Sequence, residues 1–104
     1  MNIEDIRQRF RSRHFEFSRH ALHRIVERNI SEAETCEAGA MADIIEDYPD
    51  DKYSPSCLLL GFSQDGEPLH LHVSRADGPT VKIITLYRPD PGVWVGFRVR
   101  KAEP

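Results

Sequence analysis

The chain has 104 residues, 30% of them charged, with a formal net charge of −3 and two cysteines. That length suits one domain with a single modest core, residues 1–104. No run approaches the ~18 apolar residues that a membrane helix needs. The acidic start, Asn2-Ile3-Glu4-Asp5, does not read as a signal peptide, so reduced thiols, a cytoplasmic setting and no membrane partner are expected. Charge is uneven along the chain. Residues 1–30 carry seven Arg and four acids, a balance of +3. Residues 31–54 carry eight acids and only Lys52, a balance of −7, and residues 55–104 a balance of +1. A dedicated nucleic-acid binder is usually basic overall. Here only the Arg-rich first third could present a local positive surface.

Ile3, Ile6 and Phe10 recur at helical spacing and predict a helix over residues 3–12, with Arg7, Arg9 and Arg11 outside. His14 to Phe17 alternate and read as a strand. Ser18 is a plausible N-cap for the helix that follows, Arg19 to Arg28, and Asn29 suits its left-handed C-terminus. At about 100° per residue, His20, Arg24 and Arg28 share one quarter of that helix, while Leu22, Ile25 and Val26 are expected to seal against the core. Ser31 and Glu34 form a capping box for a third helix that should weaken at Gly39. Residues 41–48 could extend that helix, but Gly39 favours a break and a strand toward Tyr48. Residues 49–52 are a loop by composition.

Three β-rich runs follow: Ser56 to Ser63, Pro68 to Arg75 and Thr80 to Arg88. Asp65-Gly66 and Asp77-Gly78 read as two-residue hairpin turns. That register pairs Leu60 with Leu71 and Leu71 with Ile84. It puts Leu58, Leu60, Phe62, Leu69, Leu71, Val73, Ile84 and Leu86 on the face toward the helices. The other face would carry Leu59, Gly61, His70, His72, Ile83, Thr85 and Tyr87, a mixed surface suited to a site or partner. Val93 to Val99 alternates and suggests a short edge strand. The fold class expected is α+β: two or three N-terminal helices on one face of an antiparallel sheet of four to six strands.

The chemistry-bearing residues gather in few places. His20 could act as acid or base, and Arg24 and Arg28 could hold a phosphate through paired hydrogen bonds. Otherwise they form a solvated helix face in which Arg24 pairs with Glu27. Tyr87 and Arg88, closing the last main strand, could complete a phosphate site, or Tyr87 could be a half-buried packing residue. His70 and His72 point to one face. Zinc would need a third ligand, for which Cys57 or His20 are conceivable, but no spacing demands it. His70 could instead join His20 as a second acid–base group. Cys36 reads as core, and Cys57 as core or part of the mixed face. The acids between Asp43 and Asp51 look like a solvated patch without calcium-loop spacing.

Phe17-Ser18-Arg19-His20-Ala21 with Arg24, Arg28 and Ile30 begins a longer ordered set. It continues through Tyr48-Pro49, Ser56-Cys57-Leu58, Gly61 and Pro68-Leu69-His70 to Thr85-Leu86-Tyr87-Arg88-Pro89-Asp90 and Trp94. Over residues 14–96 this set resembles the bacterial family called domain of unknown function 4258, which is grouped with toxins similar to RelE and ParE. The resemblance implies a small α+β domain, helices on an antiparallel sheet. It also implies either a metal-independent ribonuclease or a non-catalytic module that binds protein or nucleic acid. RNA and a small antitoxin-like protein are the implied partners, and no cofactor or metal is implied. In the ribonuclease version His20, Arg24 and Tyr87 would be catalytic and would converge in one cleft. Arg19, Arg28, His70 and Arg88 would bind substrate.

Overall fold

The computed structural model describes residues 1–75 and 77–102. Three helices precede the main strands: α1 (Ile3–Arg11), α2 (Arg19–Glu27) and α3 (Glu32–Ala40), with the short strand β1 (Phe15–Phe17) between α1 and α2. Then come β2 (Asp43–Tyr48), β3 (Ser56–Phe62), β4 (Pro68–Ser74) and β5 (Val81–Tyr87), and a small separate hairpin of β6 (Trp94–Val95) and β7 (Val99–Arg100). The fold is α+β, with sheet order β1-β5-β4-β3-β2. The sheet is mixed rather than wholly antiparallel, because β1 runs parallel to β5.

Local signals set the helix ends. Ser18 accepts a hydrogen bond from the Ala21 amide at 3.0 Å, and Ser31 and Glu34 cap α3 reciprocally. Asn2 and Asp5 make the same box on α1. Asn29 takes φ 54°. The Ile30 amide then reaches back to the Ile25 carbonyl and the Asn29 amide to that of Val26, which closes α2 with a Schellman motif. Helix α3 ends at Ala40, one residue past Gly39, and the strand β2 (Asp43–Tyr48) follows, as the break read at Gly39 implies. A Cβ on Gly39 would sit 2.2 Å from the Phe10 ring, so the glycine serves the contact between α1 and α3. A Cβ on Gly61 would lie 2.0 Å from the Ala38 carbonyl oxygen, which seats α3 directly on β3.

The register corrects the expected faces. Gly66 has φ +80°, and the Ser63 amide donates to the Glu67 carbonyl at 3.0 Å. The connection is a three-residue turn with a glycine bulge, not a two-residue turn. This shifts β3 by one residue against β4, so Leu71 lies opposite Leu59 and His70 opposite Leu60. A one-residue slip turns every side chain over. Leu59 and Gly61 therefore face the helices, and Leu58 and Leu60 face the other way. Across β4 and β5, Leu71 pairs with Leu86 and His72 with Thr85, and an irregularity then pairs Val73 with Ile83. Ile83 joins the helix-side core and Ile84 leaves it. The Asp77-Gly78 turn abuts Ala76, which lies outside the described residues.

The core between helices and sheet contains Ile6, Phe10, Ala21, Ile30, Ala38, Cys57, Leu59, Leu69, Leu71, Val73, Ile83 and Leu86. Helix α2 is rotated from the expected orientation. Ala21 is fully buried and Ile25 partly, while Leu22 is 47% and Val26 82% exposed. The cause is position: α2 covers the edge of β5 beyond the three residues paired with β1. Ser18 Oγ donates to the Ile84 carbonyl and Arg28 Nη1 to the Leu86 carbonyl at 2.7 Å. The stripe that must contact the sheet is thus Ala21, Ile25 and Arg28. The Val93–Val99 segment does not extend the main sheet. It forms the β6–β7 hairpin, which reaches the face opposite the helices through Trp94, whose ring contacts that of His70.

Candidate functional site

Period-two alternation, once the register is fixed, lines up one polar set on the face away from the helices. Glu46 and Tyr48 come from β2, Ser56 from β3, His70 and His72 from β4, and Thr85 and Tyr87 from β5. Leu58 and Leu60 pack among them, each buried.

His70 is fully buried. Its Nε2 lies 2.7 Å from the Phe97 carbonyl oxygen, and its Nδ1 lies 3.1 Å from the Tyr87 hydroxyl. A carbonyl only accepts, so Nε2 carries the proton and the Tyr87 hydroxyl donates to Nδ1. Trp94 and Tyr87 meet the ring edge-on at 4.5 and 5.2 Å. Burial lowers the His70 pKa from 6.5, against the raising effect of the Phe97 carbonyl. Burial likewise raises that of Tyr87. Both groups are neutral near pH 7.

His72 is held differently. Ser56 Oγ donates to Asp51 Oδ2 at 2.5 Å, and His72 Nε2 lies 2.9 Å from the same Oγ. Since the serine proton goes to the carboxylate, His72 Nε2–H is the donor and Nδ1 is left as an acceptor. This arrangement does not activate Ser56 as a nucleophile toward the imidazole. Burial lowers the His72 pKa, with Asp51 opposing. The two histidines point to one face, yet each ring serves its own partners. Cys57 lies in the core on the opposite side of the sheet, where burial pushes its thiol up to about 11. Cys36 donates to the Phe10 carbonyl.

The β6–β7 hairpin is tied down by charge. Arg100 makes two hydrogen bonds to Glu46, at 2.9 and 3.2 Å, and lies 4.6 Å over the Trp94 ring. Tyr48 donates to the same carboxylate. Burial would raise the Glu46 pKa, but Arg100 and Tyr48 together outweigh it and hold the carboxyl below its usual value. Arg98 adds an ion pair to Asp43 at 2.8 Å.

A concave cavity of about 640 Å³ opens between the end of α2, the end of β5 and this hairpin. It is lined by Arg28, Tyr87, Arg88, Asp90, Val93, Trp94 and Arg100. Arg88 pairs with Glu34 at 3.0 Å and donates to the Asn29 carbonyl. The Asp90 carboxylate accepts from the Gly92 amide at 2.8 Å. Arg28 has a carbonyl partner but no carboxylate within ion-pair distance among the described residues. A second cavity of about 340 Å³ continues along the sheet, lined by Tyr48, Leu58, His72, Thr85, Tyr87 and Arg100.

The structure thus brings Arg28, Tyr87 and Arg88 together, with His70 behind Tyr87. His20 and Arg24 are not in the lining of that cavity. His20 and Arg19 are exposed at the start of α2, and Arg24 pairs with Glu27 at 2.9 Å. Sequence reasoning missed Glu46, Tyr48, Arg100 and Trp94 as a set, since they come from segments about fifty residues apart. The available signal was the aromatic-basic pattern of residues 94–100.

No helix among the described residues is long and apolar enough to cross a membrane. No curated protein and no solved structure matches the chain. The family described as a domain of unknown function, DUF4258, matches residues 17–88, well over half of the sequence, and the chain belongs to it.

Proposed function

We propose that the domain binds single-stranded RNA, with one phosphate seated in the cavity between Arg28 and Arg88, beside the Tyr87 ring. The observation that carries this reading is Arg28. Its guanidinium lines a concave surface with no carboxylate partner among the described residues. Asp90 lines the same cavity, but a guanidinium without an ion-pair partner can hold phosphate through charge-assisted hydrogen bonds. Aromatic rings beside the cations favour a nucleic acid over a simple anion. In a toxin-like setting a small partner protein would cover this end of the molecule, and the exposed Leu22 and Val26 offer it apolar contacts.

Metal-independent cleavage is the second reading, and the Tyr87–His70 hydrogen bond favours it. Neutral His70 can accept the Tyr87 proton as Tyr87 takes one from a ribose 2′-hydroxyl; the 2′-oxygen attacks phosphorus, Arg28 and Arg88 stabilise the phosphorane, the P–O5′ bond breaks as water protonates the leaving 5′-oxygen, and His70 returns its proton to solvent through Tyr87. His20 has no part in this version.

The test is fluorescence anisotropy with a labelled unstructured RNA, together with a cleavage assay, both with chelator present. Wild-type protein should bind at low salt and weaken as salt rises. Arg28→Ala should weaken binding about tenfold or more. Tyr87→Phe should leave binding nearly unchanged, and in the second reading it abolishes cleavage. No RNA binding at low salt removes both readings.

A further inference from the structure

We infer that the second cavity is a nucleobase subsite, filled by the base attached to the phosphate held at Arg28. This rests on the phosphate seat proposed above. The two cavities share Tyr87 and Arg100 in their walls, so they adjoin, at the distance of neighbouring side chains. The second cavity has the composition a base requires. Leu58 gives it an apolar floor and Tyr48 an aromatic wall, the latter fixed by its hydrogen bond to Glu46 and its edge contact with His72 at 5.6 Å.

Two polar groups remain free to read the edge of a base. The Thr85 hydroxyl has no hydrogen-bond partner among the described residues and can donate or accept. The Ser56–Asp51 hydrogen bond forces His72 to donate through Nε2, which leaves Nδ1 as an acceptor for an amino or imino N–H. A volume of about 340 Å³ is at the lower end of small-ligand clefts, enough for one base and too small for a folded duplex. A simple phosphate, or a sugar phosphate, would leave this surface unused.

The experiment titrates the full chain, followed by NMR, with the four nucleoside 5′-monophosphates and with ribose 5-phosphate. At least one nucleotide should bind about tenfold tighter than ribose 5-phosphate, the scale of one base stacked on an aromatic ring. Thr85→Val and His72→Phe should each remove most of that advantage and leave ribose 5-phosphate affinity unchanged. Arg28→Ala should weaken every ligand together. Trp94 emission checks that each variant is folded. Equal affinity for ribose 5-phosphate and all nucleotides overturns the base subsite while the phosphate seat stands. A nucleotide preference untouched by both variants places the base elsewhere and also overturns it. Failure of every ligand to bind overturns subsite and seat together. Nucleotide binding with the expected variant pattern, but without RNA binding, keeps the subsite and discards the RNA reading.

Discussion

His70 and His72 show how little of a residue's chemistry its type determines. Both are imidazoles on one strand, two positions apart, and both have lowered pKa values because burial disfavours the charged ring. The consequence for stability has a definite sign. Above pH 6.5, the ordinary histidine value, both rings are neutral in folded and unfolded chains. Below it the unfolded chain takes up protons that the folded chain resists, so stability falls as pH falls through the lowered folded values. Urea midpoints should therefore drop as pH falls below the ordinary histidine value of 6.5. His72→Phe should flatten part of that slope, and an unchanged slope in this variant would mean its ring is not a source. Glu46 acts in a lower window. Its carboxyl is held below 4.5, so its contribution is present above that value and lost only in stronger acid.

At the scale of elements, two glycines and one leucine report on how layers meet. Gly61→Ala places a methyl group against the Ala38 backbone, which cannot move without lifting α3 from β3. A loss of about 1–3 kcal/mol is expected, as for other overpacked contacts, measured by chemical denaturation. Gly66→Ala meets no atom but must hold φ +80°, at a cost of about 1–2 kcal/mol. Leu71→Ala should cost about 2–5 kcal/mol, because Leu71 is fully buried between Leu59 and Leu86. A loss under about 1 kcal/mol there would contradict this register.

These elements also show what was legible. Ser18, Asn29 and the Ser31–Glu34 pair were readable because a cap depends on three or four neighbouring residues. The faces of β3 were not, since Asp65-Gly66 fits both a two-residue and a three-residue turn, and the two differ by one residue of register. The irregularity that expels Ile84 leaves no mark in composition. Helix α2 misled for a tertiary reason: it docks on a strand edge, so its contact stripe ends in Arg28 and leaves Leu22 and Val26 in solvent. For the candidate site, Tyr87 and His70 were legible from strand period, and Arg28 and Arg88 from residue type alone. Arg100 and Glu46, which meet only through the return of the C-terminal hairpin, were not.

On the scale of the whole molecule, one sheet is covered twice, by helices on one face and by a nine-residue C-terminal segment, 93–101, on the other. The second cover is held by Arg100–Glu46, Arg98–Asp43 and the Phe97 carbonyl on His70. Trp94, the sole tryptophan, is only 4% exposed beneath it. Arg100→Ala should loosen this cover before the rest unfolds, giving a red shift of Trp94 emission at denaturant concentrations where far-UV dichroism is still native. Coincident transitions by the two probes would show that the hairpin and the main sheet unfold as one unit.

Arg28 belongs to both ends of this description, since one nitrogen donates to the Leu86 carbonyl of β5 and the residue also lines the cavity. The sheet has entrusted its unfinished edge to the same side chain that is proposed to hold the phosphate. A lysine at this position would match the charge but has no planar fork to serve two partners at fixed angles. Arg28→Lys should therefore lower both the unfolding midpoint and the affinity for the RNA proposed to bind there.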